Sequence, residues 1–179
     1  MINLKEEKCL IAYFSREGNN YVSGNIVNLP IGNTEVVTKM IHEITEGDIF
    51  RIDTVNSYPE DYMETTEVAQ KELRDDARPE LSSHVENMDS YNVIFLGYPN
   101  WWGTMPMAVF TFLEEYDFSG KTIVPFCTHE GSGLGNSEKD IAKLCPQSTI
   151  QDSIAVRGGD VENARNDIAK WLRKISLKE

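Results

Sequence analysis

Residues 92–104, NVIFLGYPNWWGT, join a nearly continuous apolar run to a turn that contains two tryptophans. A strand that is apolar on both faces is typical of a parallel sheet covered by helices on both sides. We therefore predict a central strand at 92–98, followed by a loop at 99–104. Ligands of such sheets bind beyond the carboxyl ends of the strands, so this loop is a candidate binding loop.

Four further segments have the composition of strands, and five have a helical pattern. The predicted strands are 9–14, 48–55, 121–127 and 148–156, and the predicted helices are 34–46, 58–77, 105–116, 134–144 and 161–175. Strands that alternate with helices indicate a parallel sheet with right-handed connections. We predict an α/β protein, a doubly wound three-layer sandwich around a five-stranded parallel sheet. It forms one domain over 1–179 and ends in a solvated tail.

Residues 15–35, SREGNNYVSGNIVNLPIGNTE, separate the first predicted strand from the first predicted helix and contain Gly-Asn twice. A strand-to-helix connection needs one such turn, so the second Gly-Asn indicates an additional structural element within the loop. Asn33 is the predicted N-cap of the first helix, and Pro59 is expected in the first turn of the second helix.

The chain has a formal net charge of −12 at pH 7. Nucleic acids and anionic membranes bind basic surfaces, so this charge disfavours both as partners. It fits either plain solubility or docking to a basic protein. No apolar run reaches the roughly 18 residues of a membrane span, and the polar start MINLKEEK is not typical of a secretory signal. We expect a cytoplasmic protein.

Motifs of several other protein classes are missing. The chain has no G-x-x-x-x-G-K-S/T loop, no G-x-G-x-x-G after the first strand and no Gly-x-Ser-x-Gly elbow. The three cysteines, Cys9, Cys127 and Cys145, form neither a disulfide framework nor a zinc motif. His129 is close to Cys127 in sequence, but no third group is available to orient the pair. We predict no catalytic residue and no metal site.

Three of the loops that follow predicted strands carry complementary chemistry. The first ends in Gly32-Asn33-Thr34 at a helix start, where free N–H groups and the helix dipole suit a phosphate. The loop at 99–104 offers flat aromatic rings, and glycines at 128–135 let backbone approach a ligand closely. Each loop alone is equally well explained by turn formation or core anchoring. Together they favour a planar cofactor that carries a phosphate.

On these residues the chain resembles the flavodoxin family. The resemblance runs through the whole chain and rests on CLIAYFSREGN (9–19), VIFLGYPNWWGTMP (93–106), SGKTIVPFCTHEGSGLG (119–135) and ENARNDIAKWL (162–172). It implies the strand order 2-1-3-4-5 and non-covalently bound FMN. It also implies that the phosphate lies in the first loop and the isoalloxazine ring between the third-strand and fourth-strand loops.

The resemblance assigns roles to individual residues. The family's phosphate loop opens with a hydroxyl residue and ends in Gly-Asn-Thr, so we interpret 15–35 as one such loop with an insertion at about 20–31, expected to form a small hairpin. The other partial match, Gly18-Asn19-Asn20, leaves open which Gly-Asn contacts the phosphate. The residues expected to hold FMN are Ser15, Arg16, Asn33 and Thr34 at the phosphate; Pro99, Asn100, Trp101, Trp102 and Gly103 along the ring; and Thr128, His129, Glu130, Gly131, Ser132 and Gly133 at the polar edge of the ring.

For some side chains in the two loops expected to hold the ring, 99–103 and 128–133, we predict more specific positions and roles. We expect Trp101 beside the flavin, with Trp102 either stacked on the ring or packed underneath it. His129 and Glu130 are candidates for tuning the flavin, because a carboxylate near the pyrimidine edge disfavours the anionic reduced form. A solvated loop charge is the alternative for both.

The resemblance implies a flavodoxin that carries electrons at low potential between redox proteins. Its acidic surface would dock redox partners with basic surfaces, and we expect a monomer. The alternative is an FMN-dependent NAD(P)H:quinone-type oxidoreductase, since the fold alone does not decide between the two. Against the alternative, Arg16 is the only cation in the first loop that is placed to bind an adenosine phosphate.

The interrupted phosphate loop leads to a paired comparison of variants. We expect Asn33→Ala combined with Thr34→Ala to weaken FMN binding much more than Asn19→Ala combined with Asn20→Ala, because only the first pair stands at a helix start. Quenching of flavin fluorescence measures both dissociation constants. Equal losses, or the reverse order, would contradict this interpretation of the loop.

Overall fold

The computed structural model describes residues 2–176, so the predicted tail at 177–179 lies outside the described residues. The strands are β1 (Cys9–Tyr13), β2 (Gly18–Val22), β3 (Asn25–Leu29), β4 (Asp48–Arg51), β5 (Val93–Pro99), β6 (Thr122–His129), β7 (Thr149–Ile150) and β8 (Ile154–Arg157). The main sheet is parallel, in the order β4-β1-β5-β6-β7, and β8 also pairs with β6. With β7 and β8 taken together as the fifth strand, this is the predicted order 2-1-3-4-5.

Helices cover both faces of the sheet. They are α1 (Asn33–Thr45), α2 (Tyr62–Arg74), α3 (Met107–Glu115), α4 (Ser137–Leu144) and α5 (Arg165–Ile175), with 3-10 turns at Met88–Ser90 and Gly158–Asn163. In β1, Leu10 and Ala12 belong to a buried cluster with α3 and α4. The alternate residue, Ile11, belongs to a second cluster with α1 and α5. The strands are apolar on both faces for this reason, and the predicted three-layer sandwich is confirmed.

The fifth strand is interrupted, whereas an unbroken strand was predicted at 148–156. Residues 122–123 of β6 pair with β7, and residues 126–129 pair with β8. Pro125 lies between these two paired segments and has no N–H group to donate to a neighbouring strand. The indole of Trp171 donates to the backbone oxygen of Asp152 in the interruption at 2.7 Å. The interruption of the fifth strand therefore lies beside Pro125, where β6 has no N–H donor. The bond from Trp171 connects the interrupted segment to α5.

The insertion in the first loop is a regular hairpin. Strands β2 and β3 pair antiparallel from Gly18↔Leu29 to Val22↔Asn25, so the hairpin begins two residues before the predicted insertion. Its two-residue turn is Ser23-Gly24, with φ of 50° and 88°. Positive φ at both positions matches a type I′ turn, which fits the twist of paired strands.

Several predicted helix starts are wrong. The helices α2, α4 and α5 begin at Tyr62, Ser137 and Arg165, three or four residues after the predicted 58, 134 and 161. The N-cap of α1 is Gly32, and Asn33 is already the first helical residue. The N-cap of α2 is Asp61, whose carboxylate accepts the N–H of Glu64 at 2.9 Å. Pro59 therefore precedes α2 instead of lying in its first turn.

Three further expectations concern the chain as a whole. Cys9, Cys127 and Cys145 are buried and unpaired. Within residues 2–176, no cluster of three or more His, Cys, Asp or Glu side chains is arranged to hold a metal ion. No helix of this part of the chain has the length and apolar character needed to cross a bilayer.

Candidate functional site

A cleft of about 480 Å³ opens at the carboxyl ends of β1, β5 and β6, between the β2–β3 hairpin and α2. Most of the predicted site residues line it, namely Arg16, Asn33, Thr34, Pro99, Asn100, Trp101, Trp102, Gly103, Thr128, His129, Glu130 and Ser132. Ser15, Gly131 and Gly133 are not among the lining residues. The structure thus brings the three loops together at one place.

The first loop closes on itself at Gly32, immediately before α1. A Cβ atom on residue 32 would lie 2.2 Å from the Oγ of Ser15 and 2.6 Å from the backbone oxygen of Arg16. A larger residue therefore does not fit there. The Ser15 Oγ also accepts the N–H of Glu35 at 3.1 Å. Ser15 consequently stabilises the first turn of α1 through this hydrogen bond.

The start of α1 is open toward the cleft. No side chain caps it through the N-cap residue, Gly32, and the first N–H groups of a helix have no intrahelical acceptor. Asn33 and Thr34 both line the cleft. The hydroxyls of Thr34 and Thr128 form a buried hydrogen bond of 2.8 Å, which fixes α1 to the end of β6. This arrangement suits an anion, because free N–H groups and the positive end of the helix dipole coincide.

Arg16 lines the cleft but already has partners. Its guanidinium donates to the backbone oxygens of Asn19 at 3.1 Å and Glu60 at 2.8 Å. Burial lowers the pKa of Arg16, and the nearby carboxylates of Glu17 and Asp61 oppose that shift. Arg16 is the only lysine or arginine among the described residues that line the cleft. It therefore supplies positive charge while bridging the hairpin to the segment before α2.

Trp101 anchors the loop that follows β5. Its ring packs edge-on against Phe14 and Tyr58, with both centroid distances at 5.1 Å. The N–H of Trp101 donates to the oxygen of Thr104 at 2.8 Å, which closes a tight turn. Trp101 thus lines the cleft and also anchors the loop to the core. Core anchoring was the alternative explanation of the aromatic residues in this loop.

Trp102 lies at the exposed tip of that turn. Its side chain is 52% exposed, so it is not packed underneath a ring site. Its φ is 58°, a conformation that costs a residue with a side chain about 1–2 kcal/mol. The indole N–H donates to the oxygen of Thr66 in α2 at 2.9 Å. This bond holds the tryptophan across the mouth of the cleft.

Asn100 joins the third-strand and fourth-strand loops. Its amide nitrogen donates to the oxygen of Gly133 at 2.8 Å, and its amide oxygen accepts the N–H of Gly103 at 2.9 Å. The N–H of Gly131 donates to Nδ1 of His129 at 2.9 Å. Gly131 and Gly133 therefore form hydrogen bonds within and between these loops through their backbone, and neither residue lines the cleft.

Glu130 is half-buried and contacts two neighbouring segments. One carboxylate oxygen accepts the N–H of Ser23, at the tip of the hairpin, at 2.9 Å. A Cβ on Gly158 would lie 2.2 Å from the other oxygen. Glu130 thus connects the fourth-strand loop to the inserted hairpin.

Seven lining residues were not predicted from the sequence. They are Asn20 and Tyr21 of the hairpin and Tyr62, Met63, Thr65, Thr66 and Ala69 of α2. The rings of Tyr21 and Tyr62 stack with centroids 6.0 Å apart and planes 23° apart. These residues line the cleft only because the hairpin packs against α2. The local sequence indicates an insertion and a charged helix, but not that the two are in contact.

A sequence model of the flavodoxin family matches residues 8–175. No curated protein matches the chain. Among solved structures, a presumed flavoprotein from Bacteroides eggerthii DSM 20697 is 29% identical, with a TM-score of 0.77, over 97% of this chain and 100% of that chain. A presumed flavoprotein from Bacteroides uniformis ATCC 8492 is 25% identical, with a TM-score of 0.71, over 93% of this chain and 98% of that chain.

A more distant structure was solved with a bound flavin. It is a flavoprotein in complex with FMN from Lactobacillus acidophilus NCFM, 18% identical, with a TM-score of 0.62. The alignment covers 88% of this chain and 97% of that chain. At this identity the likeness supports the shared fold.

The environment of His129 leads to a pH prediction. Burial, and then the charge of Arg157, lower the pKa of His129 below 6.5, although Glu130 opposes the shift. The unfolded chain therefore binds a proton more readily than the folded chain, so this residue lowers stability as the pH falls below 6.5. Between about pH 7 and pH 5, we expect the wild type to lose more stability than His129→Asn, whose Oδ1 takes the position of Nδ1 and can accept the N–H of Gly131. Denaturant midpoints of both proteins measure the difference, and NMR titration gives the pKa. A pKa at or above 6.5 would contradict the prediction.

Proposed function

The chain belongs to the flavodoxin family, and we propose that it binds FMN and carries electrons at low potential between redox proteins. The observation that carries this proposal is the composition of the cleft. The start of α1, whose N-cap residue Gly32 has no side chain to cap it, lies at one end, and aromatic and Gly-rich loops lie at the other. This combination matches a ligand with one phosphate and one flat ring.

The residues of the cleft fit FMN. Its volume, about 480 Å³, lies in the range of small-molecule sites. The helix start at Asn33 and Thr34 would hold the phosphate, with Arg16 as the nearby cation. The loops at 99–103 and 128–133 would hold the ring, with Trp102 at its exposed edge. When bound, FMN supplies the electron-accepting chemistry, and the chain supplies binding and orientation.

The surface around the cleft favours a protein as the redox partner. Tyr21, Met63 and Trp102 are exposed apolar side chains that line the cleft. Four exposed acids at the start of α2 flank this mouth, namely Glu60, Asp61, Glu64 and Glu67. An apolar centre with a charged rim is typical of a docking surface, and the rim steers a partner of opposite charge. The proposal therefore specifies redox partners with basic surfaces, and it includes the predicted monomer and cytoplasmic location.

The alternative is an FMN-dependent NAD(P)H:quinone-type oxidoreductase. Such an enzyme would need a place for the phosphates of the nucleotide. Arg16, the one lysine or arginine among the described residues that line the cleft, already donates to two backbone oxygens and lies beside Glu17 and Asp61. This environment disfavours a second anionic ligand, so the carrier is the function that the site supports best.

Anaerobic reduction distinguishes the two functions. We expect NADH and NADPH to leave the absorbance of the bound flavin unchanged over many minutes, whereas dithionite reduces it fully. The physical reason is that a carrier has no site for a nicotinamide nucleotide. Rapid reduction by either nucleotide would contradict the proposal and favour the oxidoreductase.

Charge reversal on α2 tests the docking surface. We expect Glu64→Lys combined with Glu67→Lys to slow electron transfer to a basic probe, cytochrome c, by about tenfold at low salt. The matched control is Glu6→Lys combined with Asp89→Lys, which changes the same charge at exposed positions before β1 and β5. The two variants should converge at high salt, where exposed charges are screened. Equal slowing in both variants would show that net charge acts instead of a docking surface.

A further inference from the structure

We infer that Tyr13 and Arg51 are positioning residues of the site, because together they hold the carboxylate of Glu35 away from the start of α1. Released from them, this carboxylate would occupy the helix start in place of the phosphate. The inference rests on the proposed function, since it assumes that the phosphate of FMN binds at that helix start.

Glu35 is the third residue of α1, counted from the N-cap residue Gly32. A glutamate at this position commonly turns back and accepts the N–H of the N-cap residue, in the arrangement called a capping box. A negative charge in the first turn is also stabilised by the helix dipole. The first turn of α1 thus carries its own anion, which is able to compete with a phosphate for the same end of the helix.

In the structure, the Glu35 carboxylate is bound elsewhere. One of its oxygens accepts the hydroxyl of Tyr13 at 2.9 Å and lies 3.6 Å from a guanidinium nitrogen of Arg51. Burial, and then the bond to Glu35, raise the pKa of Tyr13 to about 12, so its hydroxyl stays protonated and donates at neutral pH. All three residues lie outside the set of described residues that line the cleft.

The two residues that hold Glu35 are themselves fixed by the sheet. Tyr13 and Arg51 are neighbours across the paired strands β1 and β4, and Tyr13 is buried. Arg51 also donates to the backbone oxygen of Ser15 at 3.1 Å and forms an ion pair with Glu17 at 2.6 Å. The position of the guanidinium therefore does not depend on Glu35 alone.

The first turn of α1 is held without a carboxylate at its end. The N–H of Glu35 donates to the Oγ of Ser15 at 3.1 Å, and the hydroxyls of Thr34 and Thr128 bond to each other at 2.8 Å. These bonds use neutral oxygens, so they place no negative charge at the helix start. The positive end of the dipole thus stays available to an anion.

Loss of the two contacts to Glu35 would act on one part of the cofactor. A released carboxylate would accept N–H groups that the phosphate needs, and its charge would repel the phosphate. The loops at 99–103 and 128–133, which we propose hold the ring, would be unaffected. The affinity for FMN should therefore fall, whereas the affinity for riboflavin, which has the ring without the phosphate, should not.

Dissociation constants of the apo-protein for FMN and riboflavin, measured by quenching of flavin fluorescence, test the inference. We expect Tyr13→Phe combined with Arg51→Met to weaken FMN binding about tenfold or more and to change riboflavin binding less than about twofold. Adding Glu35→Ala should return FMN binding to within about threefold of the wild type, because the competing carboxylate is then absent. Circular dichroism and the retained affinity for riboflavin establish that each variant is folded.

A matched control separates the position of the carboxylate from net charge. Adding Glu17→Ala to the same two substitutions removes an equal charge from a second carboxylate bound to Arg51, and this residue lies outside α1. We expect FMN binding to stay weak in this variant. Where the combined variant does not fold, Tyr13→Phe alone removes one hydroxyl and no charge, and it should weaken FMN binding about threefold, reversibly by Glu35→Ala.

Different results overturn different claims. If the substitutions at Tyr13 and Arg51 leave FMN binding unchanged, or weaken FMN and riboflavin equally, the inference is overturned. The same holds if Glu35→Ala does not restore FMN binding, or if Glu17→Ala restores it equally well. A wild type that binds both flavins with the same affinity overturns the inference alone, because the phosphate then gains nothing at the helix start. A wild type that binds neither flavin overturns the proposed function itself.

Discussion

The close approach of Gly32 to the end of β1 is the constraint on which the site depends. Ser15 and Arg16 leave no space for a Cβ at residue 32. Because Gly32 fits there, the chain returns after the hairpin to the point at which it left the end of β1. A whole hairpin is therefore inserted without displacing α1 from the carboxyl end of β1. The start of the helix, where we propose that the phosphate binds, keeps its position beside β6 through the buried bond between Thr34 and Thr128.

The loops around the cleft are braced mainly by neutral hydrogen bonds. Asn100 joins two loops through its side-chain amide, and Trp102 reaches α2 through its indole N–H. Such bonds contribute about 0.5–1.5 kcal/mol each, so the bond of Trp102 offsets part of the about 1–2 kcal/mol that its left-handed conformation costs. Among the described residues that line the cleft, Arg16 and Glu130 carry the formal charges, and the positive end of the helix dipole lies beside them.

The accuracy of the sequence interpretation differed from element to element. The strands at the centre of the sheet were recognisable because both faces are buried, as the split of Leu10 and Ile11 between two clusters illustrates. Ser15 was placed in the phosphate loop, yet its hydroxyl serves the backbone of Glu35. The pairing of Tyr21 with Tyr62 joins segments about forty residues apart, and local patterns contain no information about such contacts.

The sequence by itself determined the sheet, its order through the family resemblance, and the three loops that meet at the site. It did so because burial imposes a local pattern on strands and because glycines and aromatic residues mark tight turns. Only the tertiary structure decided that α2 and the hairpin wall the cleft, and that Glu130 engages Ser23. These contacts depend on the angle at which separate elements pack, which is set by the whole core and not by the residues that finally touch.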